Sequence, residues 1–110
     1  MFSPEVKKGS VELIVLSVLQ DGPCHAYDLG KIIQGRSGGR LRFPLSTIYP
    51  VLYRMEKRKW VKGTWIEKPG ERRRRSYHLT EKGGEVLAKR RENWREYTEL
   101  VNIVIGLGHA

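Results

Sequence analysis

Ten of the chain's 21 Lys and Arg residues stand between Arg54 and Arg75, opposed only by Glu56, Glu67 and Glu71. Seven of the net nine positive charges therefore lie in a fifth of the chain. Guanidinium and ammonium groups at that density suit a phosphate polymer, although a basic run can also be a solvated face. Residues for bond-making chemistry are poorly arranged. Cys24 and His25 are neighbours, but adjacent side chains on a helix diverge by about 100° and do not make a nucleophile–base pair. His25, His78 and His109 are scattered, with no HExxH, glycine-rich phosphate loop or useful pair of carboxylates. One cysteine can supply neither an intrachain disulfide nor a thiolate-rich zinc site. No enzyme, cofactor or metal is expected, and Cys24 reads as a small buried or capping residue.

The elements that must carry the basic run fit one domain. A chain of 110 residues supports a modest core, and its 39% apolar content excludes disorder. No apolar run reaches the ~18–20 residues of a membrane span. Met1 to Lys8 lacks the apolar centre of a secretory signal, so a cytoplasmic protein is expected.

Helical periodicity places a first helix over about Ser10 to Gln20. Ser10 is its expected N-cap, and Val11, Ile14, Val15, Val18 and Leu19 form its apolar stripe. Asp21-Gly22-Pro23 ends it. A second helix covers about Ala26 to Gln34, with Leu29, Ile32 and Ile33 on one side and Tyr27 near its start. A glycine-rich loop follows, then a third helix from about Leu45 to Lys57. Ile48, Leu52 and Met55, with Val51, turn inward there; Ser46, Thr47, Pro50 and Arg54 face out, flanked by Tyr49 and Tyr53. Pro50 is expected in the first turns, where a missing N–H matters least. Beyond Trp60 the period becomes that of strands, Val61 to Glu67 and Arg74 to Leu79, with Trp65, Tyr77 and Leu79 as packing positions. Their connection has Pro69-Gly70 turn chemistry and a basic tip. A last helix begins after Thr80, a plausible N-cap, and runs toward Ile105. Leu87, Trp94 and Val101 recur every seven residues, and Tyr97, Leu100 and Val104 widen the stripe. So long a helix after a complete small unit calls for a partner chain.

Three helices followed by a hairpin with a basic tip is the order of a winged helix-turn-helix. Ser46-Thr47-Ile48-Tyr49-Pro50-Val51-Leu52-Tyr53-Arg54-Met55-Glu56 resembles the small–Thr–Leu–Tyr–Pro–x–Leu–x–Arg–Leu–Glu pattern of the PadR transcription regulators. Arg75-Ser76-Tyr77-His78-Leu79-Thr80-Glu81-Lys82-Gly83 is similar to that family's wing strand and last-helix start. Gly22 to Leu29 is a weaker match around the start of the second helix. The resemblance spans about Lys8 to Ile105 and points to the short members with a single C-terminal helix. Two departures stand out: Ala26 replaces a frequent Gly, and Pro44-Leu45 replaces a common Ser-Pro, removing the usual cap of the third helix.

The expected fold is α+β, mostly α: a winged helix-turn-helix over residues 1–80, with three helices and a two-stranded wing, then a dimerisation helix over 81–110. The expected function is that of a transcriptional regulator, with repression implied by the resemblance. It would be a homodimer binding double-stranded DNA at an inverted repeat. Ser46, Thr47 and Pro50 would let the third helix approach the major groove, and Arg54 would reach a phosphate or guanine. Tyr49 is assigned to backbone or base by resemblance as much as by position. Tyr27 suits either a phosphate or core packing. Arg72, Arg73, Arg74 and Arg75 would line the wing, with alternation turning only part of the run toward DNA. Leu87, Trp94, Tyr97, Val101 and Val104 form the expected dimer seam. In resembling proteins an aromatic at the place of Trp94 faces a cavity for flat organic effectors; packing alone is the other reading of Trp94. The rival to operator binding is a winged-helix module for RNA or protein.

Overall fold

The computed structural model describes residues 9–108. Met1 to Lys8 and His109, the third of the scattered histidines, lie outside the described residues. Among the described residues four helices and three strands follow one another: α1 (Val11–Leu19), β1 (Cys24–His25), α2 (Ala26–Arg36), α3 (Leu45–Lys57), β2 (Val61–Ile66), β3 (Arg74–Leu79) and α4 (Glu81–Val104). The sheet is antiparallel with strand order β1-β3-β2. The fold is thus the mostly helical winged helix-turn-helix that the pattern implies, with one added strand. Two residues are too few for a periodicity, so Cys24–His25 reads as the approach to α2. Its pairing of Cys24 with Tyr77 and His25 with Ser76 is a tertiary event on the free side of β3.

The core gathers Val15 and Leu16 of α1, Leu29 of α2, Ile48, Leu52 and Met55 of α3, Val61 of β2 and Leu87 of α4, each essentially without exposure. α3 buries the expected positions Ile48, Val51, Leu52 and Met55. α1 departs from a single stripe: Leu16 is fully buried and Leu13 partly so, because α2, α3, α4 and β3 surround this short helix on several sides. Ile32 of α2 stays 37% exposed instead of joining Leu29 and Ile33 inside. Ser10 does not cap α1 through its side chain; its backbone is already helical there. α3 likewise starts at Pro44 with no side-chain cap, as the lost serine implies.

Two junctions set the wing and α4 against α3. α3 closes in a Schellman turn, in which Trp60 N–H reaches the Met55 carbonyl at 2.9 Å and Lys59 N–H reaches Glu56 at 3.0 Å. Lys59 holds the left-handed position at φ 65°, and Trp60 folds back onto the core. Thr80 then ties α4 to this turn. Its hydroxyl lies 2.7 and 3.0 Å from the Lys59 and Trp60 carbonyls, and its oxygen accepts the Gly83 N–H at 3.0 Å, the expected N-cap. Gly83 is pressed against the Trp60 carbonyl so closely that a Cβ would stand 2.0 Å from that oxygen.

α4 has 24 residues, which at ~1.5 Å each is about 36 Å of helix. Leu87 anchors its first turns in the core, and the rest projects, giving a molecule 57 × 30 × 20 Å. The radius of gyration of 15.7 Å exceeds the ~13 Å expected of a compact chain of this size. No helix among the described residues is long and apolar enough to cross a membrane.

Candidate nucleic-acid interface

The outward face of α3 is short side chains bracketed by tyrosines and bases. Ser46, Tyr49, Pro50, Tyr53, Arg54 and Lys57 are exposed, and Thr47 is half-buried beside them. Burial of Ile48, Val51, Leu52 and Met55 fixes this outcome, since the alternate positions of an amphipathic helix have no other place to go. Pro50 is the sixth residue of α3, within its first two turns but past the four N-terminal positions whose N–H has no helical acceptor. The Ser46 carbonyl consequently loses the N–H that a non-proline residue at 50 would donate to it. Tyr49 and Tyr53 are 52% and 63% exposed. Lys57 lies over the Tyr53 ring at 5.3 Å, and Lys31 over the Tyr27 ring at 5.2 Å. Tyr27 is 58% exposed on the first turn of α2, which leaves its phenol outside the core.

The wing separates its four arginines. Arg72 and Arg74 are exposed and have no ion pair among the described residues. With His25, Lys68 and Glu71 they line an open cleft of about 300 Å³ between the hairpin tip and β1. Arg73 stacks on Trp65 at 4.3 Å and pairs with Glu67 at 3.0 Å. Arg75 turns the other way, pairing with Glu56 of α3 at 2.5 Å. The same carboxylate accepts the Gly63 N–H at 3.1 Å, so Glu56 joins the end of α3 to both strands. A Cβ at Gly63 would fall 2.1 Å from Arg75 Nε, which explains why the strand carries glycine there. Arg75 therefore clamps the wing to α3 through Glu56, apart from the cleft that Arg72 and Arg74 line. Trp65 is a corrected assignment. It is 49% exposed and packs under guanidinium groups instead of entering the core.

The far half of α4 carries the second set of exposed apolar groups. Trp94, Tyr97, Leu100, Ile103 and Val104 stand out on it, with Val101 half-buried. Leu87, expected in the dimer seam, is 0% exposed within its own chain and is unavailable to another. The heptad spacing to Trp94 is genuine, but the helix passes from core to solvent between the two. Ile103, Ile105 and Leu107 extend the apolar end beyond the residues singled out from spacing, where three-residue offsets blur the heptad. Trp94 and Tyr97 border a cleft of about 400 Å³ shared with Glu12, Leu13 and Arg90.

Cys24 is half-buried, and burial, reinforced by the charge of Asp28, raises its thiol pKa above the ordinary value. The thiol donates to the His25 carbonyl at 3.3 Å, and His25 Nδ1 lies 3.2 Å from the Arg75 carbonyl. That pair stitches β1 to β3; it does not align a nucleophile with a base.

The fold that carries this surface is shared with known proteins. The model of the transcriptional regulator PadR-like family matches residues 15–89, which includes α2, α3, the wing and the start of α4. The chain belongs to the PadR-like family of transcriptional regulators. A PadR family transcription regulator from Clostridium difficile superposes with a TM-score of 0.76 at 26% identity, covering 88% of this chain and 99% of that one. A transcriptional regulator from Clostridium thermocellum gives 0.82 at 26% identity, with 89% and 95% covered. A PadR family regulator from Eggerthella lenta gives 0.82 at 25% identity, with 92% and 86% covered. No curated protein matches the chain. As a PadR-like regulator it is a DNA-binding protein, of a family of transcriptional regulators and not of enzymes.

Proposed function

We propose that this PadR-like chain is a cytoplasmic repressor that binds an inverted-repeat operator as a homodimer. Ser46, Thr47, Tyr49 and Pro50 read the major groove, while Tyr27, Arg54, Arg72, Arg73 and Arg74 hold the sugar-phosphate backbone. The observation that carries this reading is the exposure of the α3 face on the same domain as two exposed wing arginines, Arg72 and Arg74, that form no ion pair among the described residues. An A-form RNA groove is too deep and narrow for such a helix, which favours duplex DNA.

Trp94, Tyr97, Leu100, Val101 and Val104 supply the seam between two chains. Exposed side chains this large, along a helix that leaves its own core, are stabilised by mutual burial. Two α3 helices carried on paired α4 helices would meet half-sites related by the same two-fold symmetry. The cleft at Trp94 would take a flat aromatic effector on the indole, which gives the repressor a means of release. Selection of bound duplexes from a random pool tests the reading. Recovery of an inverted repeat, with binding weakened by Thr47→Ala and Arg54→Gln, is expected; recovery of no common sequence refutes operator binding.

A further inference from the structure

One carboxylate joins the helix that faces DNA to the helix that carries the dimer seam. Glu12, on the first turn of α1, has only 16% of its side chain exposed and is surrounded by three arginines. Its Oε1 accepts from Arg90 of α4 at 2.8 Å, a charge-assisted hydrogen bond. Its Oε2 faces Arg54 and Arg58 at the C-terminal end of α3, at the longer distances of 3.8 and 3.4 Å. Arg58 and Arg90 also cover the Trp60 ring, at 5.1 and 4.8 Å, so the two guanidiniums and Glu12 share one ordered cluster. In front of it lies an open groove of about 560 Å³, with Glu12 on one wall and Ser46, Thr47, Pro50, Arg54 and Arg58 on the other.

We propose that Arg54 and Arg58 form a clamp for a backbone phosphate in this groove, that Glu12 is its built-in competitor, and that Arg90 limits the competition by occupying the other carboxylate oxygen. The proposal rests on the DNA-binding reading above and adds three residues to it. Both clamp arginines are about half exposed, 51% each, and border the same groove as the hydroxyls of Ser46 and Thr47. At 3.8 and 3.4 Å from a carboxylate already bonded to Arg90, these contacts hold the two arginines loosely, whereas transfer of an arginine to a nucleic-acid phosphate gains counterion release. Three guanidiniums against one carboxylate leave an excess of positive charge, so a phosphate can enter without removing Glu12 from Arg90. Glu12 and Arg90 act through the arginines and are positioning residues. Because Arg90 belongs to α4, a shift of that helix changes how much of the carboxylate faces α3.

The test is a salt titration of binding to a mixed-sequence duplex by the full chain. Glu12→Gln should raise low-salt affinity and steepen the salt slope by up to ~0.9. A nonlocal charge effect would give the same gain in any background. The gain should therefore vanish in the Arg54→Gln/Arg58→Gln background; an undiminished gain there overturns the clamp. Arg90→Gln should weaken binding in the native chain and have no effect once Glu12 is Gln; equal weakening in both overturns the role of Arg90. Should Glu12→Gln fail to melt cooperatively, Arg58→Gln at an exposed position decides the matter. It should flatten the slope by up to ~0.9, and an unchanged slope overturns the proposal. A native chain showing no salt-dependent duplex binding would sink the DNA-binding reading itself, an outcome separate from these.

Discussion

Gly83 and Gly84 are neighbours on the first turns of α4, and the same substitution should move stability in opposite directions. At Gly83 an added methyl would stand 2.0 Å from the Trp60 carbonyl oxygen and 2.8 Å from Leu79 Cδ1. Backbone cannot move aside there cheaply, because Thr80 N–H also donates to that carbonyl at 3.0 Å. Overpacking costs ~1–3 kcal/mol, and loss of the Thr80 cap as α4 is pushed out costs ~1 more. The better helix propensity of Ala returns about 1 kcal/mol. Gly83→Ala should thus lose ~1–3 kcal/mol, which at ~4 °C per kcal/mol lowers the melting midpoint by ~4–12 °C. At Gly84 the nearest atom to a new Cβ is Leu79 Cδ2 at 3.9 Å, an ordinary contact. Gly84→Ala should gain up to ~1 kcal/mol, raising the midpoint by ~4 °C. Thermal unfolding followed by circular dichroism measures both. A Gly83→Ala protein that melts with the native chain would show that α4 is not docked on the Trp60 turn as described, and the placement of the proposed dimer seam relative to α3 would fall with it.

The wing makes a contrast between arginines. Replacing Arg72 and Arg74 by Ala should flatten the salt slope of DNA binding by up to ~0.9 per lost contact and leave the melt unchanged. Arg75→Ala should lower the melt, because it strips Glu56 of its partner at the α3–wing junction; an unaltered melt would remove that clamp. Along α4, Leu87→Ala should cost ~2–5 kcal/mol of stability at any protein concentration, whereas Val104→Asp should leave the fold and shift sedimentation from dimer to monomer. Equal stability losses for the two would contradict the passage of α4 from core to solvent. At alkaline pH the chain should weaken. Burial raises the pKa of both Cys24 and Tyr77, so their neutral forms are favoured in the fold. Their stabilisation is complete below the pKa values of the unfolded chain and is lost as pH rises through the raised ones. Alkylation of Cys24 at neutral pH should accordingly be slower than that of a free thiol, and faster reaction would refute its burial.

Much of the fold is legible along the chain because its helices are amphipathic. The α3 stripe of Ile48, Leu52 and Met55 specifies both what is buried and what is presented, and the exposed Ser46, Tyr49, Pro50 and Arg54 follow from it. Thr80 is readable as a cap from its type and place. The PadR-like pattern itself lies in contiguous words, which is why the family can be recognised without coordinates. Where the pattern is short or three-dimensional, reading fails. β1 has two residues and no period, and Trp65 has the composition of a core residue yet lies under Arg73. Leu87 and Trp94 share a heptad register, but nothing in the register says where the body of the molecule ends.

By its own order of residues the chain determines the helices, the hairpin, the basic run and the family, since these depend on spacing within one segment. Which arginines remain available for phosphate was decided only in tertiary structure. Glu56 and Arg75 are 19 residues apart, and Glu12 and Arg90 are 78 apart. Charges separated by that much chain meet only when packing brings them within a few ångströms, and Coulomb attraction then sets their roles.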